Sequence, residues 1–235
     1  MEISEAEAIG RRAQAVLASI RGAEQRAGRP PGSVRLIAAT KSIPPERIRS
    51  AIAAGVRILG ESRLQEALPK IAAIGTGAGV AWHFIGRLQR RKVKAVVETF
   101  DMVQSVESLE LAAEIDRRAG EAGLVLPVLL EVNVGGEASK GGFTPEALPS
   151  AALALEMFPH LAVQGLMTIP PATATAEEAR PYFRRLRECA EAVTRLDLRR
   201  VRMVELSMGM SQDYEVAVEE GATFVRVGTA IFGAR

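Results

Sequence analysis

The stretch Arg35-Leu-Ile-Ala-Ala-Thr-Lys41 decides how this chain is interpreted, because it delivers one ammonium group to the end of a buried strand. Its residues are mostly apolar and strand-like, and Ser42-Ile-Pro-Pro45 follows directly. Proline lacks the N–H group that a strand ladder needs, so the strand cannot continue through these residues. Lys41 is therefore predicted to lie at a strand-to-helix turn.

A lysine that loses hydration at such a turn becomes partly neutral. A neutral amine can attack an aldehyde and form a Schiff base. The alternative is a lysine that simply reaches solvent at a strand end, and position alone favours this alternative because buried lysines are rare. The rest of the chain decides between the two.

Short apolar runs and helix-like stretches alternate from residue 34 onward. The runs rich in Val, Leu and Ile lie near 35–40, 56–59, 81–85, 101–105, 126–133, 161–169, 203–207 and 222–227. The helix-like stretches lie near 45–54, 61–74, 89–98, 107–120, 145–156, 175–194 and 211–220. This alternation is typical of parallel strands joined by helical crossovers. Eight strands in 235 residues predict an α/β fold, a single (β/α)8 TIM barrel, with an open doubly wound sheet as the alternative.

A further helix precedes the first strand. Apolar residues recur at helical spacing over residues 3–27, and Gly28-Arg-Pro-Pro-Gly32 ends the pattern. We expect this N-terminal helix, within residues 1–30, to pack on the barrel. The chain has no Ser/Gly-rich linker or low-complexity tract, so residues 1–235 are predicted to form one domain, with a mobile loop at 169–175.

Composition excludes several classes of protein. Hydrophobic residues make up 48% of the chain but aromatic residues only 4%, so the core is built from Ala, Val, Leu and Ile. The net charge of +2 gives no general attraction to nucleic acid or membrane. Cys189 is the one cysteine and there are two histidines, which argues against disulfides and metal sites. Without a signal peptide or a long apolar run, a cytoplasmic protein is expected.

Polar residues follow the predicted strands. In a (β/α)8 barrel, binding and catalytic groups collect at the C-terminal ends of the strands. The residues at those ends are Lys41, Glu61, His83-Phe-Ile-Gly86, Ser105, Asn133, Met167-Thr168, Ser207-Met-Gly209 and Arg226-Val-Gly228-Thr229. They predict a pocket with an amine, a histidine, an arginine and several hydroxyl or backbone donors.

The last two of these ends resemble an anion site. Leu206-Ser-Met-Gly-Met-Ser211 runs from the seventh strand into a helix, and Arg226-Val-Gly-Thr229 ends the eighth strand. Free N–H groups at a helix start attract phosphate, and barrels often bind phosphate in the loops after strands seven and eight. The alternative is an N-cap serine and a tight turn.

Arg226 and His83 each have two interpretations. Arg226 could pair structurally with Glu205 or Glu61, or could offer a permanently charged donor inside the pocket. His83 stands between Trp82 and Phe84, and such a histidine is more often a hydrogen-bonded core group than a catalyst.

Several segments resemble one known family. These are Ala39-Thr-Lys41, Leu59-Gly-Glu61, Trp82-His-Phe-Ile-Gly-Arg-Leu-Gln89, Leu206-Ser-Met-Gly-Met-Ser211 and Val225-Arg-Val-Gly-Thr-Ala-Ile-Phe-Gly233. In order and from about residue 34 to the end, they are similar to the YggS-like pyridoxal phosphate homeostasis proteins. That family resembles the barrel domain of bacterial alanine racemase. The resemblance implies a fold-type III barrel in which Lys41 carries pyridoxal 5'-phosphate (PLP) as a Schiff base.

The resemblance also implies roles for individual residues. Ser207 and the backbone of Gly228 and Thr229 would hold the phosphate, and Arg226 would face the pyridine nitrogen. The full expected cofactor site is Lys41, Ser207, Arg226, Gly228, Thr229, Asn133, His83, Met167 and Gly209.

Three further positions bear on the resemblance. Ser62 stands where the family usually has an Asn beside the cofactor, and Arg91 replaces an Asn on an outer helix. Lys140 matches a family lysine, where a secondary cofactor contact competes with a solvated loop.

The same residues indicate binding rather than turnover. Many PLP enzymes keep the ring nitrogen protonated with a carboxylate, whereas Arg226 cannot accept that proton, so the ring withdraws electrons poorly. The chain also stops soon after the phosphate segment, where alanine racemases continue into a β-domain. We expect a monomeric PLP carrier that buffers the cofactor and supplies apo PLP-dependent enzymes. The alternatives are a PLP-dependent amino-acid racemase with a base such as His83, and a Schiff-base aldolase acting on a phosphorylated sugar.

Overall fold

The eight predicted strands close into a parallel barrel in a computed structural model of the chain, which describes residues 3–77, 79–137 and 140–234. They are β1 (Arg35–Ala39), β2 (Ile58–Glu61), β3 (Ala81–Phe84), β4 (Met102–Val106), β5 (Leu126–Glu131), β6 (Leu161–Met167), β7 (Val201–Ser207) and β8 (Phe224–Val227). The first strand pairs with the last, with Ala38 opposite Val227, which excludes the open sheet. The predicted (β/α)8 class is confirmed.

Helices alternate with the strands as the sequence predicts. They are α1 (Glu5–Arg26), α2 (Pro45–Ala53), α3 (Leu64–Ile74), α4 (Val93–Val97), α5 (Leu109–Glu121), α6 (Leu148–Leu155), α7 (Arg180–Thr194), α8 (Tyr214–Glu219) and α9 (Thr229–Phe232). Single 3-10 turns at Arg90–Lys92 and Glu177–Ala179 lead into α4 and α7. The predicted stretch near 145–156 becomes helical only at Leu148, with Pro149 in the first turn, where its missing N–H costs nothing.

Side chains inside the barrel fill its lower part. The inward cluster consists of Ile37, Ile58, Met102, Leu129, Met167 and Phe224. Space is tight there, since a Cβ on Gly60 would lie 2.7 Å from Ile37 Cγ2. The outward residues of the strands pack under the helices in a second, larger core. A ligand site in this barrel must therefore lie above the inward cluster, at the C-terminal ends of the strands.

The N-terminal helix α1 begins with a capping box between Ser4 and Glu7. It packs against α2, α8 and α9, and its buried side chains include Ile9, Ala13, Val16 and Ile20. Arg12 Nε donates to the Ile231 carbonyl at 2.7 Å, which ties the helix to the segment after β8.

Candidate functional site

Lys41 lies in a tight turn that leaves β1. The Ile43 N–H donates to the Thr40 carbonyl at 3.0 Å, and Ser42 adopts φ 62°. A positive φ at the third position is the mark of a type II turn, and it is unusual for serine. The Ser42 N–H donates to Glu66 Oε2 at 3.1 Å. The half-buried Lys41 ammonium makes no hydrogen bond or ion pair with any described residue, so it is available to a ligand.

A buried polar network holds the end of β1 from outside the barrel. Lys70 Nζ, on α3, donates to the Thr40 carbonyl and to Glu61 Oε1, both at 2.7 Å. The Thr40 hydroxyl donates to the same Glu61 oxygen at 2.6 Å. The Lys70 and Glu61 side chains are only 9% and 0% exposed. The prediction that Glu61 contributes to the pocket is corrected, because its carboxylate faces α3 and stabilises the strand end instead.

A chain of hydrogen bonds crosses the barrel above the inward cluster. Arg226 donates through Nη1 to Ser207 Oγ at 2.6 Å and through Nη2 to the Thr168 carbonyl at 2.7 Å. Ser207 Oγ donates to Gln104 Oε1 at 2.7 Å, and Gln104 Nε2 lies 3.0 Å from His83 Nδ1. These hydrogen bonds therefore connect β8, β7, β4 and β3. Neither structural partner considered for Arg226 is used, since Glu205 pairs with Arg35 and Glu61 with Lys70.

The direction of this chain follows from its first member. Arg226 can only donate, so Ser207 accepts from it and sends its own proton to Gln104 Oε1. The amide nitrogen of Gln104 then faces His83 Nδ1, which must accept, and the histidine proton lies on Nε2. Burial lowers the pKa of His83 to about 4, with Arg35 as a smaller cause. Burial also lowers the pKa of Arg226 to about 10, so the guanidinium stays charged at neutral pH.

The two segments in which the sequence predicts an anion site, after strands seven and eight, meet at Ser211. Its hydroxyl oxygen accepts from the N–H groups of Gly228 at 3.2 Å and Ala230 at 3.3 Å, at the start of α9. Gly209 shapes the approach, because its φ of 89° belongs to the left-handed region, and its carbonyl accepts from the Arg226 N–H at 2.9 Å. Two donors thus converge on one oxygen in the position that an anion would take.

Ser207 does not contact these N–H groups. It is fully buried and pairs with Phe224, four residues before Gly228 along β8. Its hydroxyl proton is already bonded to Gln104. The phosphate role that the resemblance implied for Ser207 therefore suits Ser211, which belongs to the same Ser-Met-Gly-Met-Ser segment.

The other residues predicted for the cofactor site lie in three different places. Gly228 and the exposed Thr229 lie at the mouth beside β1, where a Cβ on Gly228 would be 3.3 Å from the Ala39 carbonyl. Met167 belongs to the inward cluster below. The Asn133 amide is used within its own loop, donating to the Glu137 carbonyl at 2.9 Å and accepting from the Glu137 N–H at 3.2 Å.

Lys140 connects two loops at the mouth. Its ammonium pairs with Glu137 and donates to the carbonyls of Pro170 at 3.0 Å and Ile169 at 3.3 Å. Both acceptors belong to the segment that the sequence marks as a mobile loop. Lys140 thus has a structural role in joining the loops after β5 and β6.

Sequence reasoning missed three polar residues of the mouth: Gln104, Ser211 and Glu131. Gln104 could have been found as a polar residue two positions after Met102 in a strand, which places both on one face. Glu131 ends β5 and follows the inward Leu129 by two, so it too faces the interior. Burial and the neighbouring Glu107 raise the pKa of Glu131.

The buried neutral His83 predicts a pH effect on stability. Its folded pKa lies below the unfolded value of about 6.5, so the stabilisation is present above pH 6.5 and is lost as the pH falls toward 4. We expect a loss of up to about 3 kcal/mol from this group over that range. Urea unfolding of the wild type and His83→Gln between pH 7 and 4 measures it. The variant should show a shallower fall, and parallel curves would contradict the assignment.

Among the described residues, no helix is long and apolar enough to cross a membrane. The described parts of the chain also contain no group of three or more His, Cys, Asp or Glu side chains that could hold a metal ion.

Comparison with known proteins places this geometry in a family. The family model for the alanine racemase N-terminal domain matches residues 13–235. A pyridoxal phosphate homeostasis protein of Aquifex aeolicus is 46% identical over 94% of this chain and 95% of its own length. An E. coli protein of the same description is 40% identical over 92% of both chains.

Solved structures agree with the sequence matches. A protein of unknown function from Bifidobacterium adolescentis superposes with a TM-score of 0.92 at 39% identity, over 99% of this chain and 97% of that one. PipY of Synechococcus elongatus, solved with PLP bound, gives 0.79 at 39% identity, over 92% and 99% of the chains. Alanine racemase of Corynebacterium glutamicum shares the fold, with a TM-score of 0.71 at 16% identity. The match covers 98% of this chain and 61% of the racemase chain. The chain combines a lysine in a turn, a buried arginine and paired donors at the strand ends. It belongs to the pyridoxal phosphate homeostasis protein family.

Proposed function

We propose that this protein binds PLP covalently on Lys41, buffers it and supplies it to PLP-requiring enzymes without catalytic turnover. The observation that carries the proposal is the pairing of β1 with β8. The half-buried Lys41, which has no partner among the described residues, thereby follows a strand next to the Ser211 hydroxyl and the N–H groups after β8, which together suit an anion. An amine and an anion site on adjacent strands suit a ligand with an aldehyde and a phosphate.

The residues present fit PLP at both of its ends. The phosphate would be held by the Ser211 hydroxyl and by backbone N–H groups of Gly228, Thr229 and Ala230, which replaces the role first expected of Ser207. Arg226 would face the pyridine nitrogen, because its guanidinium has five N–H groups and, within the part of the chain that the structure describes, two of them are used, by Ser207 and Thr168. When bound, PLP supplies an aldehyde carbon that accepts the Lys41 nitrogen.

The protonation states of Arg226 and His83 support binding of the cofactor over catalytic turnover. Arg226 has a pKa of about 10, so it stays protonated at neutral pH and cannot take up a proton from the ring nitrogen. Carbanion chemistry is weakened by an unprotonated ring, whereas covalent capture of the aldehyde is not. His83 is a poor candidate for a racemase base, because its Nδ1 accepts a hydrogen bond from Gln104 and its pKa is lowered to about 4.

The proposal is tested by adding the PLP-loaded protein to an apo aminotransferase. We expect the aminotransferase to gain activity until one PLP per loaded protein has been transferred. The loaded protein by itself should not racemise L-alanine or other L-amino acids, which is followed by chiral chromatography. Racemisation at ordinary enzyme rates would overturn the carrier assignment in favour of an enzyme. A protein that cannot be loaded with PLP would favour the aldolase.

Ser211→Ala tests the phosphate assignment. Loss of one hydrogen bond to a charged group should weaken PLP affinity roughly tenfold or more. Ser207→Ala serves as the comparison, because its hydroxyl lies in the buried chain, and its effect on PLP affinity should be smaller. Equilibrium titration of the apo proteins, followed by the near-visible absorbance, measures both. The reverse order of effects would return the phosphate role to Ser207.

A further inference from the structure

Glu131 is an acidic residue of the mouth that the binding of PLP leaves without a role. It ends β5 opposite Met167, the last residue of β6, and Arg226 donates to the carbonyl of Thr168, which directly follows β6. Its side chain therefore faces the same space as the Arg226 guanidinium. The Glu131 carboxylate forms no hydrogen bond or ion pair with any other residue in the described segments of the chain.

The charged groups around Glu131 are already committed to other partners. Arg87, after β3, pairs with Glu107 at 3.3 Å, and Lys140, after β5, is held by Glu137 and by the loop after β6. Arg226, on β8, bonds to Ser207 and Thr168. Glu107, after β4, adds a second negative charge nearby. Burial first, and Glu107 second, raise the pKa of Glu131, and the three cations only partly oppose this.

A carboxylate in this state can bind a cation and take a proton from it. It is partly desolvated, it has no partner among the residues that the structure describes and its basicity is increased, which are the properties of a general base. The cation must be small and must carry a removable proton, which describes a primary ammonium group. A guanidinium would not release its proton.

Resting on the proposed function, we propose that Glu131 binds the ammonium group of the amine that takes PLP from Lys41 and removes its proton. The incoming R–NH3⁺ gives one proton to the Glu131 carboxylate and becomes R–NH2. The R–NH2 nitrogen would bond to the aldehyde carbon and pass its two remaining protons to the Lys41 nitrogen as the double bond between that nitrogen and the carbon breaks. Lys41 leaves as a neutral amine and takes the proton back from Glu131, so charge and protons balance and no further reactant is needed.

The ammonium group can come from a free amino acid or from a lysine side chain of an apo-enzyme. Stopped-flow absorbance of the loaded protein at pH 8, with glycine or with N-acetyl-lysine methylamide in excess, separates these sources. Glu131→Gln should slow PLP loss at least about tenfold for the amine that uses this site. The ratio of wild-type to variant rates should fall toward one at pH values below the pKa of Glu131, where the carboxylate is protonated in the wild type as well.

The matched control is Glu137→Gln, a carboxylate of the same mouth that is paired with Lys140. It should release PLP at the wild-type rate. A second readout needs no cofactor: in the ¹³C-glutamate-labelled apo protein, added ethylammonium should lower the titration midpoint of the Glu131 carboxyl resonance. Equal release rates for wild type and Glu131→Gln with both amines, or an unmoved midpoint, would overturn the inference. Failure of the proposed function is distinct, because the wild type itself would then carry no PLP on Lys41.

Discussion

Lys41→Ala is expected to abolish the near-visible absorbance of the PLP-loaded protein and the mass increase that borohydride treatment fixes on it. Lys41 follows β1, which pairs with β8, and β8 leads directly to the N–H groups of Gly228 and Ala230. Alanine leaves no nitrogen there to bond with the aldehyde. Stability should change by less than about 0.5 kcal/mol, because the ammonium has no partner among the described residues.

Lys140→Ala is the control, since Lys140 is a lysine of the same mouth. It should keep the absorbance and the borohydride-fixed mass on Lys41. Peptide mapping after reduction identifies the modified lysine in each variant. An unchanged absorbance band in Lys41→Ala, with the mass on another lysine, would refute the assignment of Lys41 and the proposed function with it.

Lys70→Met should destabilise the protein by about 3–5 kcal/mol, because it leaves the fully buried Glu61 carboxylate without its cation. The same change removes the Lys70 hydrogen bond to the Thr40 carbonyl, which directly precedes Lys41. We therefore expect weaker PLP binding as well, from a less ordered turn. Urea unfolding and PLP titration measure the two effects.

Two further variants test whether the lost stability comes from the unpaired, buried Glu61 carboxylate. Lys70→Met combined with Glu61→Leu removes both charges and should recover most of the lost stability. Lys94→Met breaks an exposed pair with Glu98 at 4.0 Å and should cost less than about 0.5 kcal/mol. If Lys70→Met behaves like Lys94→Met, the network does not hold the end of β1.

The architecture was predictable because it rests on local signals. Short apolar runs, helix-like stretches between them and the Pro44-Pro45 break all act over a few residues, so the eight strands and Lys41 at the end of β1 follow from the order of residues. Closure of the barrel was favoured by strand count, and the β1–β8 pairing confirms it. The assignment of residues 1–235 to a single domain stays a prediction.

The residues of the site were less predictable from local signals than the strands and helices. Lys41, Arg226 and Gly228 were predicted for the site from strand ends and from the resemblance, and their roles stay predictions. Ser207 was predicted to hold the phosphate, and its hydroxyl is bonded to Gln104. Nothing local distinguishes the first serine of Ser-Met-Gly-Met-Ser from the last. The difference arises from the turn at Gly209, which carries Ser211 to the N–H groups after β8.

By itself, then, the order of residues determined the strands, the helices and the lysine at the turn, because backbone propensity and burial periodicity are properties of neighbouring residues. The tertiary structure alone decided which polar groups meet. Gln104 joins Ser207 across 103 positions, and Arg226 reaches Thr168 across 58. Such partners are set by the closure of the barrel, which brings the strand interiors within hydrogen-bonding distance of one another.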